Sequence, residues 1–396
     1  MENSGENMNN SKYTILFGGG AIRGLAYVGA LRAMEELGIE YDIIGGSSVG
    51  ALFAAMVACG YKSYELENLF MKVNFELFKD IHFGFGKIFA LSKGELYTEW
   101  INELISKKLG GDRLCFKDLK KPLVVITTNL TEFKTQEFSA LKTPDFEIAK
   151  AIRVSSSMPG LMPPYDYNGS DLVDGDLQKA SPMWKLSATL DNSPNRILEF
   201  RLEGDCQNDT KNPLSFINTI YSCVTEVATN FVTEIYGKND RYDCVSINTG
   251  DIFFADFNLD KESRRKLIES GYEQTIKYFR EFLPKKKEML NDVYSQLLKY
   301  LKKVNGGIRS NDVEETQWWL GDIFTLMCEN KEIIDENIYN KIVDLKNNIN
   351  GSVKSIFILG TKFENRKELQ SQAKNILDIL DKRITDIRLY LQKINS

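Results

Sequence analysis

The chain is predicted to be an α/β protein built on a largely parallel sheet. Three observations carry this expectation. Short apolar runs alternate with segments whose apolar residues recur at the 3.6-residue spacing of an amphipathic helix. Two of those runs end in glycine-rich turns that open directly into a helix. The alternation lasts to about residue 284, after which nearly every segment is helix-like. Strands separated by helices imply βαβ units, whose strands run parallel.

Taken in order, Tyr13–Phe17 is a compact apolar run that stops at Gly18-Gly19-Gly20 and reads as the first strand. Within Gly24–Leu37, the residues Tyr27, Ala30, Leu31, Met34 and Leu37 share one helix face, and Gly38 stands where a helix stop is expected. The pattern repeats with a strand at Tyr41–Ile44, a tight turn at Gly45–Ser48 and a helix at Val49–Ala58 that ends near Gly60. Leu123–Thr128, Ile197–Leu202 and Val245–Asn248 read as further buried strands. Near Pro284 the character changes. Lys285-Lys286-Lys287 opens a Lys-, Glu- and Asn-rich tail with no further proline, in which Ser355–Leu359 is the one strand-like exception. Ala373, Leu377, Leu380, Ile384, Ile387, Leu391 and Ile394 form an a/d seam in its last segment. The expected organisation is a disordered lead-in over residues 1–12, a catalytic domain over 13–283 and an all-helical region over 284–396.

Length allows this division into a large and a smaller domain, and 43% hydrophobic with 27% charged residues is a globular composition. A net charge of −5 supplies no global field for nucleic acid, so no nucleic-acid partner is expected. No apolar run reaches the roughly 20 residues that span a bilayer. The polar, Asn- and Ser-rich start lacks the layout of a secretory signal, so a cytoplasmic protein is expected. The cysteines Cys59, Cys115, Cys206, Cys223, Cys244 and Cys328 are scattered without a C-x-x-C pair, which signals neither a zinc site nor a disulfide framework.

Gly46-Ser47-Ser48-Val49-Gly50 lies between a strand and a helix, the setting in which G-x-S-x-G is a nucleophile elbow. Such a turn is strained and crowded, and a Cβ at either glycine would clash with the neighbouring strand and helix. It holds the serine oxygen at a helix N-terminus, where free N–H groups and the dipole favour developing negative charge. Gly18-Gly19-Gly20-Ala21-Ile22-Arg23-Gly24 also joins a strand to a helix. The dinucleotide fingerprint G-x-G-x-x-G is not matched there, because Ala21 and Arg23 fall where glycine is required. Successive N–H groups in a glycine-rich turn form an anion-binding nest, so the run reads as an oxyanion hole. A plain tight turn is the competing reading. Arg23 adds a positive charge that steadies the loop or meets a phosphate headgroup.

The third motif is Asp174-Gly175-Asp176, a short apolar lead-in delivering an acid to a glycine turn. His82 is the only histidine, and it precedes every acid that could partner it. A Ser-His-Asp triad needs an imidazole, which the α/β-hydrolase fold supplies last in chain order. If Ser48 is a nucleophile, a carboxylate must therefore take its proton directly, with Asp174 the first choice and Asp176 the fallback.

Together these residues resemble the patatin-like phospholipase family, which combines a glycine-rich loop, a G-x-S-x-G elbow and an Asp-Gly turn in a Ser–Asp dyad. The resemblance implies Ser48 as nucleophile and Asp174 as base. It implies oxyanion N–H groups from Gly18, Gly19 and Gly20, with Arg23 and Gly24 closing the loop and Gly46 and Gly50 shaping the elbow. It extends to Gly94–Trp100, to Ile152–Gly160 with Pro163-Pro164, and to Leu267–Tyr272, and so covers about residues 13–283. It further implies a three-layer α/β/α sandwich and hydrolysis of a phospholipid or lysophospholipid acyl ester through an acyl-Ser48 intermediate, with no metal or other cofactor. Two departures stand out. Ala21 and Ile22 separate Gly20 from Arg23 where the family has one residue, and Asp176 stands where Gly or Ala is usual. A second carboxylate there would raise the coupled pKa of the pair or point to solvent.

The helical region has a plain reading as a bundle packed on the catalytic domain. Its sharper readings are a module that presents the enzyme to membrane through Lys285–Lys287 and Lys302-Lys303, a protein-binding module, or a homodimer joined by the 373–394 seam. Peripheral membrane association of the active protein is expected. Two other classes compete with the hydrolase: a non-catalytic lipid-binding or storage protein on the same scaffold, and a His82-dependent serine hydrolase of another fold.

Overall fold

The computed structural model describes residues 12–78, 92–178, 187–204, 213–236, 239–253, 256–356 and 360–394. The lead-in expected over residues 1–12 lies almost wholly outside them, as do His82 and Cys206. The chain divides into two units, residues 10–237 with 242–278, and residues 238–241 with 279–396.

In the first unit the order is β1 (Tyr13–Phe17), α1 (Ala26–Glu36), β2 (Tyr41–Ser47), α2 (Val49–Ala58), α3 (Ser63–Phe70), α4 (Glu95–Leu109), β3 (Leu123–Asn129), β4 (Lys134–Ser139), α5 (Ile148–Ser155), β5 (Tyr165–Tyr167), β6 (Ser170–Val173), the single turn α6 (Ala188–Asp191), β7 (Arg196–Glu203), α7 (Pro213–Tyr236), β8 (Tyr242–Asn248) and α8 (Lys261–Lys277). Among the described residues the sheet order is β5-β6-β3-β2-β1-β7-β8, with β4 also paired to β3. The central pairs β3–β2, β2–β1, β1–β7 and β7–β8 are parallel, and the antiparallel pairs gather at one edge around β3.

Alternation along β1 sorts the two faces. Leu16 packs with Val124, Ile126 and Ile197 under Leu190 of α6. Phe17 points the other way, stacks on Phe200 at 5.4 Å and meets Tyr27 of α1 in a tilted contact at 5.1 Å, with Phe53 of α2 beyond at 5.5 Å from Tyr27. Because successive strand residues face opposite sides, the parallel strands are covered on both faces, as a buried parallel sheet requires. The result is the three-layer α/β/α arrangement. Gly29 of α1 and Gly271 of α8 bring two helices into backbone contact. A Cβ on Gly29 would lie 1.7 Å from the Ile268 carbonyl oxygen, and one on Gly271 would lie 1.9 Å from that of Ala26.

Several boundaries differ from the sequence expectation. Gly45 to Ser47 belong to strand β2, pairing in parallel with β3, so the turn is confined to Ser48. The helix expected from Gly24 begins as a 3-10 turn, Ala21–Leu25, before α1.

In the second unit the elements are α9 (Leu283–Ser310), α10 (Val313–Glu329), α11 (Glu336–Gly351), β9 (Val353–Ile356), β10 (Gly360–Phe363) and α12 (Arg366–Ile394). Pro284 stands in the first turn of α9, directly after the π-helical turn Tyr278–Phe282. Asp312 and Asp335 cap α10 and α11 with carboxylates that accept backbone N–H groups. Of the strand-like stretch Ser355–Leu359, Ser355 and Ile356 end β9, which pairs antiparallel with β10, and residues 357–359 lie outside the described residues.

Two expectations for this region are corrected. Ala373, Leu377, Leu380, Ile384 and Ile387 are buried in the unit's own core with Leu290, Leu297 and Leu301 of α9, so the seam is spent within one chain rather than left for a second copy. The lysine run is not a uniform cationic face. Lys287 is buried, and its Nζ lies 3.3 Å from Asp240 Oδ1, while Lys303 lies over the Trp319 ring. Asp240 also meets Arg383 at 3.7 Å and the Tyr294 hydroxyl at 3.4 Å, which makes a buried polar centre in an apolar core. Among the described residues no helix is long and apolar enough to cross a membrane.

Candidate active site

Ser48 joins β2 to α2 with φ 53° and ψ −132°, a strained conformation for a residue with a side chain. Its neighbours make the turn possible. A Cβ on Gly46 would meet the Gly50 carbonyl oxygen at 2.3 Å, and one on Gly50 would meet that of Phe17 at 2.0 Å. Both glycines therefore let β1, β2 and α2 converge behind the serine. The Ser48 N–H donates to Ser155 Oγ at 2.9 Å, and that hydroxyl donates to the Ile126 carbonyl at 2.6 Å, tying the elbow to α5 and β3.

Asp174 follows β6 at the start of the 3-10 turn Gly175–Gln178. Its N–H donates to the Ser157 carbonyl at 3.1 Å, so the Ser155–Ser157 segment holds both the elbow and the acid. The Ser48 hydroxyl donates to Asp174 Oδ2 at 2.7 Å. Oδ1 accepts the Asp176 N–H at 2.9 Å and the Tyr221 hydroxyl of α7 at 3.0 Å. The carboxyl is fully buried. Burial foremost, and then the charge of Asp176, push its pKa up to about 7, against the pull of these three donors.

Asp176 points inward rather than to solvent. Its Oδ1 accepts the Ser47 hydroxyl at 2.5 Å and the Gly19 N–H at 3.2 Å. Gly19 has to be glycine, because a Cβ there would fall 1.7 Å from Asp176 Oδ2 and 2.8 Å from Ser48 Cβ.

The glycine loop divides its N–H groups unevenly. That of Gly18 donates to the Phe200 carbonyl at 3.0 Å and extends the β1–β7 ladder, and its own carbonyl accepts the Tyr27 hydroxyl at 2.7 Å. The Gly18 N–H is therefore committed to the sheet and does not face the serine as an anion donor. Gly20 has φ +147° and Ala21 φ +48°, so the chain turns between them, and the Arg23 N–H closes the turn on the Gly20 carbonyl at 3.1 Å. Among the described residues the N–H groups of Gly20 and Ala21 have no acceptor. The Arg23 guanidinium lies against the end of β7, where a Cβ on Gly204 would be 2.8 Å from its Nη1. Gly24 lets the 3-10 turn rest on α2, since a Cβ there would be 2.8 Å from both Val49 methyls.

Two tyrosines join the site, Tyr97 from the Gly94–Trp100 segment of the resemblance and Tyr221 from a segment with no motif to announce it. Tyr221 arrives from a helix 47 residues beyond Asp174, and burial followed by the two aspartates pushes its phenol well up. Tyr97 of α4, also buried, is pushed up to about 12 by burial, with the charge of Asp174 adding to the effect. Its α4 opens at Gly94, whose φ is +74°.

Residues 15–184 match the model of a family described as patatin-like phospholipase. An uncharacterized protein of Acanthamoeba polyphaga mimivirus is 29% identical over 266 residues, which is 64% of this chain and 89% of that one. Lysophospholipase NTE1 of Candida glabrata is 30% identical over 185 residues, 44% of this chain but only 10% of its own length. Among solved structures, VipD from Legionella pneumophila matches with a TM-score of 0.51 at 15% identity over 97% of this chain and 92% of that one, a likeness of fold. Residues 15–184 are thus similar to the patatin-like phospholipase family, and the rest of the chain lies outside that match.

Proposed function

We propose that the protein is a lipid acyl hydrolase of phospholipase A or lysophospholipase type, acting through Ser48 and Asp174. The observation that carries this is the 2.7 Å hydrogen bond from Ser48 Oγ to a buried Asp174 at a strained elbow. The carboxyl's pKa of about 7 suits a general base, which is most effective near the working pH. The family match and the lysophospholipase relative favour a lipid ester as substrate.

Ser48 Oγ attacks the ester carbonyl carbon while its proton passes to Asp174 Oδ2. The carbonyl π pair moves onto oxygen, and the oxyanion is received by N–H groups of the glycine loop. Gly20 and Ala21 are the donors best placed in this reading, with Gly19 joining when it lets go of Asp176. Preorganised donors of this kind are worth about 3–4 kcal/mol each in acyl transfer. The tetrahedral centre collapses, the alcohol leaves with the proton from Asp174, and the acyl group stays on Ser48. Water then attacks the acyl carbon and gives its proton to Asp174, and the fatty acid departs as Ser48 Oγ recovers that proton. Residues 13–283 form the catalytic domain in this reading and 284–396 a helical module, and the protein works in the cytoplasm, peripherally on lipid.

Fatty acid release from mixed phosphatidylcholine and lysophosphatidylcholine vesicles tests the reading. Ser48→Ala and Asp174→Asn are expected to abolish release, and His82→Ala to leave it intact. Loss of activity in a folded His82→Ala variant would overturn the dyad, and no release by the unaltered chain would favour a lipid-binding role.

A further inference from the structure

Helix α7 presents five large apolar side chains to solvent. Phe216, Ile220, Val224, Val227 and Phe231 are 48–69% exposed. Their spacing of four, four, three and four residues lines them up along one face, over about 22 Å at the rise of an α-helix. A helix on a globular surface ordinarily does the reverse and keeps its apolar stripe inward. Only Glu226 and Glu234 are charged in its sequence, and it has no Lys or Arg. The helix is nonetheless anchored on its other side, where Val232 is buried and Tyr221 donates to Asp174. Among the described residues an unpartnered apolar ridge therefore stands on the same helix that holds the acid of the dyad.

We infer that this ridge is the surface on which the protein seats itself on a zwitterionic phospholipid aggregate, an inference that rests on the hydrolase reading of the adjoining site. At the exposures above, five such side chains offer on the order of 500 Å² of apolar surface, the size of a functional patch on a monomer. That is well short of the roughly 800 Å² per partner of a stable protein interface, so a second copy is the poorer occupant. Helices that lie in the headgroup region bury an apolar face of Phe, Ile and Val and add electrostatic attraction only when they carry Lys or Arg. Here that second contribution is missing and the two charges are acidic, so anionic lipid brings no gain. Docking is by apolar insertion, and it sets against the lipid the helix whose inner side holds Asp174 through Tyr221.

The test uses the full chain with Ser48→Ala, so that lipid is not consumed. Cys223, exposed beside the ridge, carries a polarity-sensitive fluorophore after Cys115, Cys206 and Cys328 are replaced by Ser. Phosphatidylcholine vesicles are expected to shift its emission to the blue and to co-sediment the protein equally well at low and high salt. Phe216→Ser with Phe231→Ser is expected to weaken vesicle affinity about 30-fold, taking half of the transfer free energy of each half-exposed ring. Val227→Asn alone should weaken it several-fold by the same reckoning. With Ser48 restored, the double variant should still cleave a monomeric short-chain ester at the unaltered rate. Equal vesicle affinity of the double variant and the parent would overturn the inference. So would binding that requires anionic lipid and fails in salt, or a dimer in sedimentation velocity that the double variant dissolves. Vesicle binding without hydrolysis of any ester would sink the hydrolase reading alone, and hydrolysis with unaltered affinity would sink the ridge alone.

Discussion

Tyr221→Phe removes one hydroxyl and keeps the ring, which makes it a sharp probe of how Asp174 is tuned. The donor lost stands 3.0 Å from Oδ1, while the Asp176 N–H at 2.9 Å and the Ser48 hydroxyl at 2.7 Å remain. That donor holds the carboxyl pKa down, so its loss raises the value further above about 7. A hydrogen bond to a charged group is worth about 1.5–3 kcal/mol, and 1.36 kcal/mol corresponds to one pH unit. The limb should therefore move up by about one to two pH units. Because the base works only when ionised, kcat/KM on a soluble short-chain ester rises as pH passes the pKa of Asp174. At pH 7 the variant should lose about 5- to 50-fold, and by about pH 10 it should return to within about two-fold of the parent. A loss that is uniform in pH, with the limb still near 7, would refute the tuning role and leave Tyr221 as packing alone.

Asp176→Asn should move the limb the other way, below about 7, because it deletes the like charge that raises Asp174. A limb displaced upward in the same assay would contradict that account. Asp174→Asn should stabilise the fold at the expense of activity. Its folded carboxyl titrates near 7 against an ordinary 3.8, so the folded state holds a proton that the unfolded chain releases between those values, and the parent loses stability as pH rises through that window. The thermal advantage of the variant should grow from pH 4 to pH 7, by at most about 4 kcal/mol, and flatten above; an advantage independent of pH would count against the raised pKa. Asp240→Ala should cost about 3 kcal/mol by stranding Lys287 in the core, read as a lower melting temperature, and adding Lys287→Met should recover most of it.

Much of this site was legible because its motifs are local. Tyr13–Phe17 and Val49–Ala58 stand where their apolar patterns put them, and Gly46, Ser48 and Gly50 report the turn within five residues, although the carbonyl that crowds Gly50 is that of Phe17 in β1. What escaped depends on contacts distant in sequence. β4, Lys134–Ser139, is a largely polar segment whose second half is buried by pairing with β3 and by distant side chains such as Phe146 on Phe138 and Ser187 on Glu137. The commitment of the Gly18 N–H follows from the register of β1 against β7, which no glycine spacing encodes. A D-G-D turn does not say which way its last carboxylate points, and Asp176 turns in because Ser47 and Gly19 receive it. The 373–394 seam announces a partner helix without naming its chain, and α9 of the same chain supplies it.

The contact of α1 with α8 at Gly29 and Gly271 sets a clock on synthesis. Helix α1, which follows the glycine loop, leaves the ribosome early, yet the backbone surface it needs belongs to α8, some 240 residues later. At 5–20 residues per second that is about 10–50 s of translation. Through that interval the nucleophile and its acid emerge while one wall of the loop beside them is still unmade. Closure of the first unit thus waits on residues near the end of its sequence, and in the proposed hydrolase reading so does competence for chemistry.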